Sequence, residues 1–173
     1  MLKAIRVIAL SFVLSLSMLA CKKSSDSPSS SYNLTAKFDG QSKSFNTQVL
    51  AIKTQMGEGY NLIISALNGT KESFSIDLWS DMDGFHNGDV FYHEAVVNDT
   101  ENLFGWASDM LNSNETTVWS SFPMYLTATS NIKVTITEIT NEYVKGTFSG
   151  TIYQNVESSP SKSITDGQFM AKF

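Results

Sequence analysis

From Asn33 onward the chain alternates. In Asn33-Leu34-Thr35-Ala36-Lys37-Phe38 every second residue is apolar, the period of a strand with one buried face. Asp39-Gly40 follows, a pair suited to the positive φ angles of a two-residue hairpin turn, so Phe45 to Ile52 is predicted to return beside the first strand. Tyr60 to Leu67, YNLIISAL, is apolar on both parities and predicts a more central strand, bounded by Gly57 and Gly59 before it and Asn68-Gly69 after. Ser73 to Trp79 alternates again, with Phe74, Ile76 and Leu78 on one side and Ser73, Ser75, Asp77 and Trp79 on the other. The turn-rich SDMDGFHNGD then leads to a short strand around Val90 to His93.

Two patterns compete between Asn98 and Ser130. Thr100 to Asn112 would place Leu103, Trp106, Ala107, Met110 and Leu111 on one helical face, but Gly105 and the strand-like surroundings favour a strand near Asn102 to Ser108. Val118 to Phe122 and Tyr125 to Thr129, on either side of Pro123, read as further strands. Beyond them Ile132, Val134 and Ile136 alternate with Lys133, Thr135 and Thr137. Val144, Phe148 and Ile152 alternate with Lys145, Thr147, Ser149 and Thr151. Ile164 to Phe173 closes the chain, with Phe169, Ala171 and Phe173 in the core.

Register constrains the loop before Val144. A two-residue turn at Asn141-Glu142 would set Ile136 against Thr147 and mix the two faces. An odd-numbered loop, for example Asn141 to Tyr143, sets Ile136 opposite Phe148, Ile132 opposite Ile152 and Thr137 opposite Thr147, so an odd loop is predicted. Gly146 and Gly150 then lie on the apolar face, where a missing side chain admits a neighbour's ring or lets the strand bend. About eight to ten short strands, with turn signals at intervals of roughly 8 to 15 residues, predict an all-β fold. An antiparallel β-sandwich is the expected architecture, with an up-and-down or lipocalin-like barrel as the alternative.

The N-terminus has another pattern. Met1 to Ala20 combines a basic front, Lys3 and Arg6, with an apolar run and a small residue at its end, the parts of an export signal. As a helix, Val7 to Ala20 would rise only about 21 Å, against a hydrocarbon core of about 30 Å. Met18-Leu19-Ala20-Cys21 resembles the lipobox of bacterial lipoproteins, which implies a diacylglyceryl group on the Cys21 sulfur and cleavage before it. Cys21 is the only cysteine, so no disulfide partner competes for it. Two or three acyl chains hold a protein durably where one holds it reversibly. The organisation expected is a signal peptide at 1–20, a lipidated cysteine and Ser-rich tether at 21–31, and one all-β domain at 32–173. Lys22 to Ser31 has no apolar residue to bury, and its expected span as a solvated tether is about 17 Å. By analogy with known sorting rules, Lys22 rather than Asp after the cysteine fits outer-membrane delivery, at the cell surface or the periplasmic face.

Charge narrows the partners. Removing Lys3 and Arg6 from the 12 basic residues leaves 10 against 17 acidic ones, a formal charge of −7 with no arginine. Nucleic acid and anionic headgroups are bound chiefly by clustered Lys and Arg, so neither is expected as a partner of the domain.

Phe38-Asp39-Gly40, the segment Lys133 to Glu138, Gly146-Thr-Phe-Ser-Gly150 and Ile164-Thr-Asp-Gly-Gln-Phe169 are similar to motifs in a family of envelope lipoproteins from Bacteroidota. The resemblance implies an all-β envelope domain and brings no catalytic residues, since the family has no agreed function.

The chemical motifs are incomplete. His93-Glu94-Ala95-Val96-Val97 begins like a zinc-protease HExxH, but Val97 replaces the second histidine and the setting is a strand. His86 and His93, seven apart, would face opposite ways on an uninterrupted strand, as two ordinary edge histidines. Asp81-Met82-Asp83-Gly84 is similar to the middle of a calcium loop, yet an EF-hand alignment puts Trp79 at the first ligand and Val90 at the bidentate glutamate. Asp77, Asp81, Asp83 and Asp89 could surround a cation in a non-standard loop; solvated turn residues are the plainer reading. No metal or cofactor is expected. Trp79, beside Asp77 and opposite the apolar parity, is a candidate sugar-stacking ring, so Trp79, Asp77, Asp81 and Asp83 form the candidate ligand site. The plain reading is a ring covered by a loop or second sheet. Trp106 and Trp119 are expected in the core.

No nucleophile elbow, phosphate loop or Cys/His cluster is present in the sequence. Asn33, Asn68, Asn98 and Asn114 fit the glycosylation pattern and are read as turns. The first expectation is a non-enzymatic binding module for an envelope protein, a glycan or a small molecule. A hydrolase of envelope or extracellular polymers and a mainly structural protein are the alternatives.

Overall fold

The computed structural model describes residues 32–69, 71–81, 83–92, 102–108, 110, 117–121, 131–154 and 160–173. The signal and tether, Cys21, the His93 to Val97 motif, Asn98, Asn114, Phe122, Pro123 and the strand expected at Tyr125 to Thr129 lie outside the described residues. All described residues belong to one unit, Ser31–Phe173, and none is helical.

Among the described residues eleven strands make the fold all-β, slightly more than expected: β1 (Asn33–Phe38), β2 (Gln41–Phe45), β3 (Thr47–Met56), β4 (Gly59–Asn68), β5 (Glu72–Ser80), β6 (Val90–Tyr92), β7 (Leu103–Ser108), β8 (Thr117–Ser120), β9 (Lys133–Ile139), β10 (Tyr143–Gln154) and β11 (Ser161–Lys172). They join in one sheet, ordered β2-β1-β11-β3-β4-β5-β7-β8-β10-β9-β6, with β10 also paired to β11. That extra pairing folds the sheet into two layers. One contains β2, β1, β11, β10, β9 and β6; the other contains β3, β4, β5, β7 and β8. They connect where Lys172 of β11 pairs in parallel with Leu50 of β3, and where the end of β10 pairs with β8. The sheet is therefore mixed rather than wholly antiparallel, and its arrangement is sandwich-like.

The inner faces meet through aromatic rings. Phe38 and Phe45, from β1 and β2, lie 5.7 and 5.8 Å from Phe74 of β5, centroid to centroid. Phe148 of β10 lies 5.3 Å from Phe74 and 5.6 Å from Phe104 of β7. Each such pair adds about 0.5–1.5 kcal/mol to what area burial supplies. Alternation places these rings inward together with Leu34, Leu62, Ile64, Ile76, Val134, Ile136 and Ile152, all buried. Trp106 and Trp119 are buried as expected, and β7 is a strand, not a helix, because its register sets Phe104 against Ile76 and Trp106 against Phe74.

Three expectations need correction. The strand returning after Asp39-Gly40 is Gln41–Phe45, starting earlier than predicted. The turn is as read, with φ of 49° and 80°. After Asn46 the chain crosses to the other layer as β3. Asn33 lies on β1 rather than in a turn.

The third concerns β9 and β10. Ile139 faces Val144 and the Thr140 amide donates to the Tyr143 carbonyl at 2.9 Å, which is the pairing of a two-residue turn at Asn141-Glu142, not an odd loop. A register shift between Lys145 and Gly146 then places Ile136 opposite Gly146, Thr135 opposite Thr147 and Val134 opposite Phe148. Matching the faces was the correct constraint, but a bulge meets it and the pairs sit two residues from those predicted.

The glycine expectation holds on β10 and is reciprocated on β11. A Cβ on Gly146 would lie 2.4 Å from the Phe169 ring and from the Thr135 carbonyl oxygen. Gly167 accommodates Phe148 in the same way, and Gly146 faces Phe169 while Phe148 faces Gly167. Each ring lies over the glycine opposite it.

Candidate functional site

The four residues expected to form a ligand site are only partly gathered. Trp79 and Asp77 project from the outer side of β5, as parity required, because Phe74, Ile76 and Leu78 are buried on the inner side. Asn61 Nδ2 donates to the Asp77 carboxylate and to the Leu78 carbonyl. Beneath the Trp79 ring lies Gly59, whose added Cβ would come within 2.9 Å of the indole. Part of that ring is therefore committed to packing. The Trp79 amide donates to Asn102 Oδ1 at 3.0 Å, and Asn102 Nδ2 reaches the Tyr92 carbonyl.

Asp81 and Asp83 are exposed in the following turn, where the Asp81 carbonyl accepts the Gly84 amide at 2.9 Å. Asp89 Oδ2 accepts the His86 amide at 2.6 Å. The described residues contain no group of three or more His, Cys, Asp or Glu placed to hold a metal ion.

Two outer faces hold the remaining candidate chemistry. On the layer of β9, β10, β11 and β1, hydroxyl and amide side chains line up across strands: Thr135 faces Thr147, Thr147 faces Gln168, Gln168 faces Thr35, and Thr35 faces Ser44. One extra residue in β11 interrupts this face. The register shifts against both β10 and β1 at the same level, and Asp166 there takes φ of 53°. Bulges re-aim side chains and are common beside functional sites. Here the bulge turns Asp166 outward to Lys37, 2.8 Å away, and leaves Gly167 as floor. A depression of about 440 Å3 results, lined by Lys133, Thr135, Thr147, Ser149, Asp166 and Gln168. A second, of about 260 Å3, lies on the β1 and β2 side of Asp166.

The outer face of β3, β4, β5, β7 and β8 carries an exposed apolar row on β3 and β4. Ile52 faces Ile63, and Leu50 lies on the same side; their exposures are 58, 37 and 45%, with Val118 of β8 at 54%. Ser65, Ser75, Gly105 and Ala107 fill the space between them. Asp77 is the only charge among the described outward side chains of β4, β5, β7 and β8.

Five groups of the polar layer are shifted. Lys37 is held above the usual lysine range, chiefly by its hydrogen bond to Asp166. The Asp39 carboxylate is held below its ordinary value, first by the Ser163 amide and then by Lys162. Glu138 is lowered by Lys145 and then Tyr143, while Lys145 and Tyr143 are raised by hydrogen bonding to Glu138.

No family model matches the chain, and neither the curated proteins nor the solved structures contain a match to it.

The Asp166 bulge was missed in the sequence although a signal for it was present. Ile164 and Phe169 are both buried, yet they stand five apart. On an uninterrupted strand residues five apart face opposite ways, so one extra residue between them is required.

Proposed function

We propose that the protein is a non-catalytic binding module of the bacterial envelope, anchored through acylated Cys21 and docking another envelope protein on the outer face of β3, β4, β5, β7 and β8. The observation that carries this reading is the uncovered row of Leu50, Ile52 and Ile63. Contiguous apolar surface, depleted of charge on a chain of net charge −5, is the character of an interface centre rather than of a solvated face. The chain's entry point supports it. Asn33 pairs with Met170 and Leu50 with Lys172, along the edge of β11 away from β10, so Tyr32 enters the domain close to Leu50. An anchor upstream of Tyr32 would keep this face near the membrane.

A photo-crosslinking residue at Ile52 of the acylated protein, in its own cells, is expected to give one discrete protein adduct, and the same probe at Thr147 none. Adducts to lipid alone, or equal labelling from both positions, would remove the reading. A glycoside hydrolase of the usual kind would need a carboxylate pair. Among the described residues lining the larger depression the only carboxylate is Asp166, and it is engaged by Lys37.

A further inference from the structure

The opposite face carries a separate inference, independent of the docking surface. We propose that the trough crossing β9, β10, β11 and β1 binds a neutral, linear oligosaccharide.

Shape comes first. The two depressions, of about 440 and 260 Å3, share Asp166 and so form one trough with two compartments. Along its length the row from Thr135 to Ser44 takes four strand steps, about 19 Å at the usual spacing between strands. That length suits a chain of sugar rings better than a single ring.

The lining chemistry selects among ligands. Thr135, Thr147, Ser149 and Gln168 each carry both donor and acceptor capacity on short side chains, fixed by strand backbone. Sugar hydroxyls need both from each partner. An apolar ligand would strand these groups without hydrogen bonds, at a cost for each one buried.

Charge excludes the polyanions. Of the three lysines that line the trough, Lys37 is paired with Asp166 and Lys43 with Glu72, which leaves Lys133 as the cation of the larger compartment. One lysine does not hold a polyphosphate or polyuronate against a chain of net charge −5.

An aromatic ring completes the site. Tyr92 pairs with Lys133 across β6 and β9, projects on the same face, and is 54% exposed, with the Lys133 ammonium 5.9 Å from its ring centroid. Its exposed ring at the trough's end can pack on the C–H face of a sugar.

The bulge supplies the preorganisation. Asp166 holds the left-handed conformation, which Asp adopts more readily than most residues, at the extra position of the bulge. Without the extra residue the strand would run flat, and the Gly167 floor would not separate the Asp166 ridge from Gln168.

The test is affinity electrophoresis of the full chain in detergent through gels containing laminarin, glucomannan or xyloglucan, with polygalacturonate and dextran sulfate as polyanion controls. Retardation by at least one neutral polysaccharide is expected. Thr147→Val and Gln168→Ala, both at exposed positions, are each expected to weaken it about tenfold, the scale of one hydrogen bond. Ile52→Ser, on the docking face, is expected to leave it unchanged. No retardation by any neutral polysaccharide, retardation by the polyanions alone, or equal retardation of wild type and both trough variants would overturn the proposal.

Discussion

The two layers share one core and turn opposite faces outward. β9, β10, β11 and β1 present threonine, serine, glutamine and ion pairs, whereas β3, β4, β5, β7 and β8 present Leu50, Ile52 and Ile63 among small residues. The first layer comes from sequence that alternates cleanly; in the second β5 alternates as well, but YNLIISAL is apolar on both parities. Alternation reports whether a face is built to meet water. It does not report that the chain covers every face built to avoid it. β4 is central in its layer, as its two-sided apolar pattern predicted, yet the second parity faces outward. An apolar parity left uncovered by its own fold is then a prediction about something outside the fold.

The strongest way to break the contrast is to remove what both layers share. Phe148 lies against Phe74 and Phe104 of the apolar layer and over Gly167 of the polar one. Phe148→Ala is expected to cost about 4 kcal/mol, within the range for buried phenylalanine, read as a lowered urea midpoint. It is also expected to lose the trough, since the Gly167 floor rests on that ring. Unchanged stability would mean the two layers do not depend on one core.

Much of this is legible in the sequence, because strand period is a local property. The inward set of β5 follows from parity alone, and the turn at Asp39-Gly40 from the positive φ that its pair tolerates. Bulges are not local in that sense. Another Asp-Gly pair, Asp166-Gly167, makes a bulge where Asp39-Gly40 makes a turn, and the five-residue spacing of Ile164 and Phe169 separates the two outcomes. The β9–β10 register failed for a related reason: a bulge and an odd loop restore the same parity. Around Trp79, parity puts Asp77 and the indole on one face but does not show that Asn61 hydrogen-bonds the carboxylate and that Gly59 packs beneath the ring.

A smaller effect tests how the layers are tied. Lys43 of β2 reaches Glu72 of β5 at 2.6 Å, with side-chain exposures of 24 and 18%, and its ammonium lies 4.9 Å from the Trp106 centroid. Lys43→Met keeps the apolar stem and removes the charge. The expected cost is about 1–2 kcal/mol, more than a surface pair gives, because Glu72 loses its cation in a half-buried setting while keeping Asn68 as a neutral donor. A cost near zero in a urea titration would show that the stem, not the ion pair, joins the layers.

Ile63→Ser sharpens the contrast from the other side. Its side chain faces outward, so unfolding is expected to change by less than about 0.5 kcal/mol, the ordinary range for surface positions. Binding of a hydrophobic dye such as ANS is expected to fall at the same time. A loss of 2 kcal/mol or more would mean that the residue is part of the core, and the apolar face would lose its claim as a docking surface.

The smallest effect is confined to the polar layer and to acid. Asp39 stands at the β1–β2 turn with its carboxylate on the Ser163 amide and the Lys162 ammonium, and its folded pKa is depressed. A depressed carboxylate stabilises the fold fully above its unfolded value, about 3.9, and that contribution is lost as pH falls through the folded one. Asp39→Asn keeps a residue that tolerates the positive φ and can still accept the Ser163 amide, so it removes the charge alone. The variant is expected to show a slightly lower urea midpoint than wild type at pH 7, with the gap closing toward pH 3. Amide protection factors, which remove the intrinsic pH dependence of exchange, are expected to fall on acidification more in β1 and β11 than in β4 and β5. A gap that persists unchanged at pH 3 would assign the effect to turn geometry instead of charge.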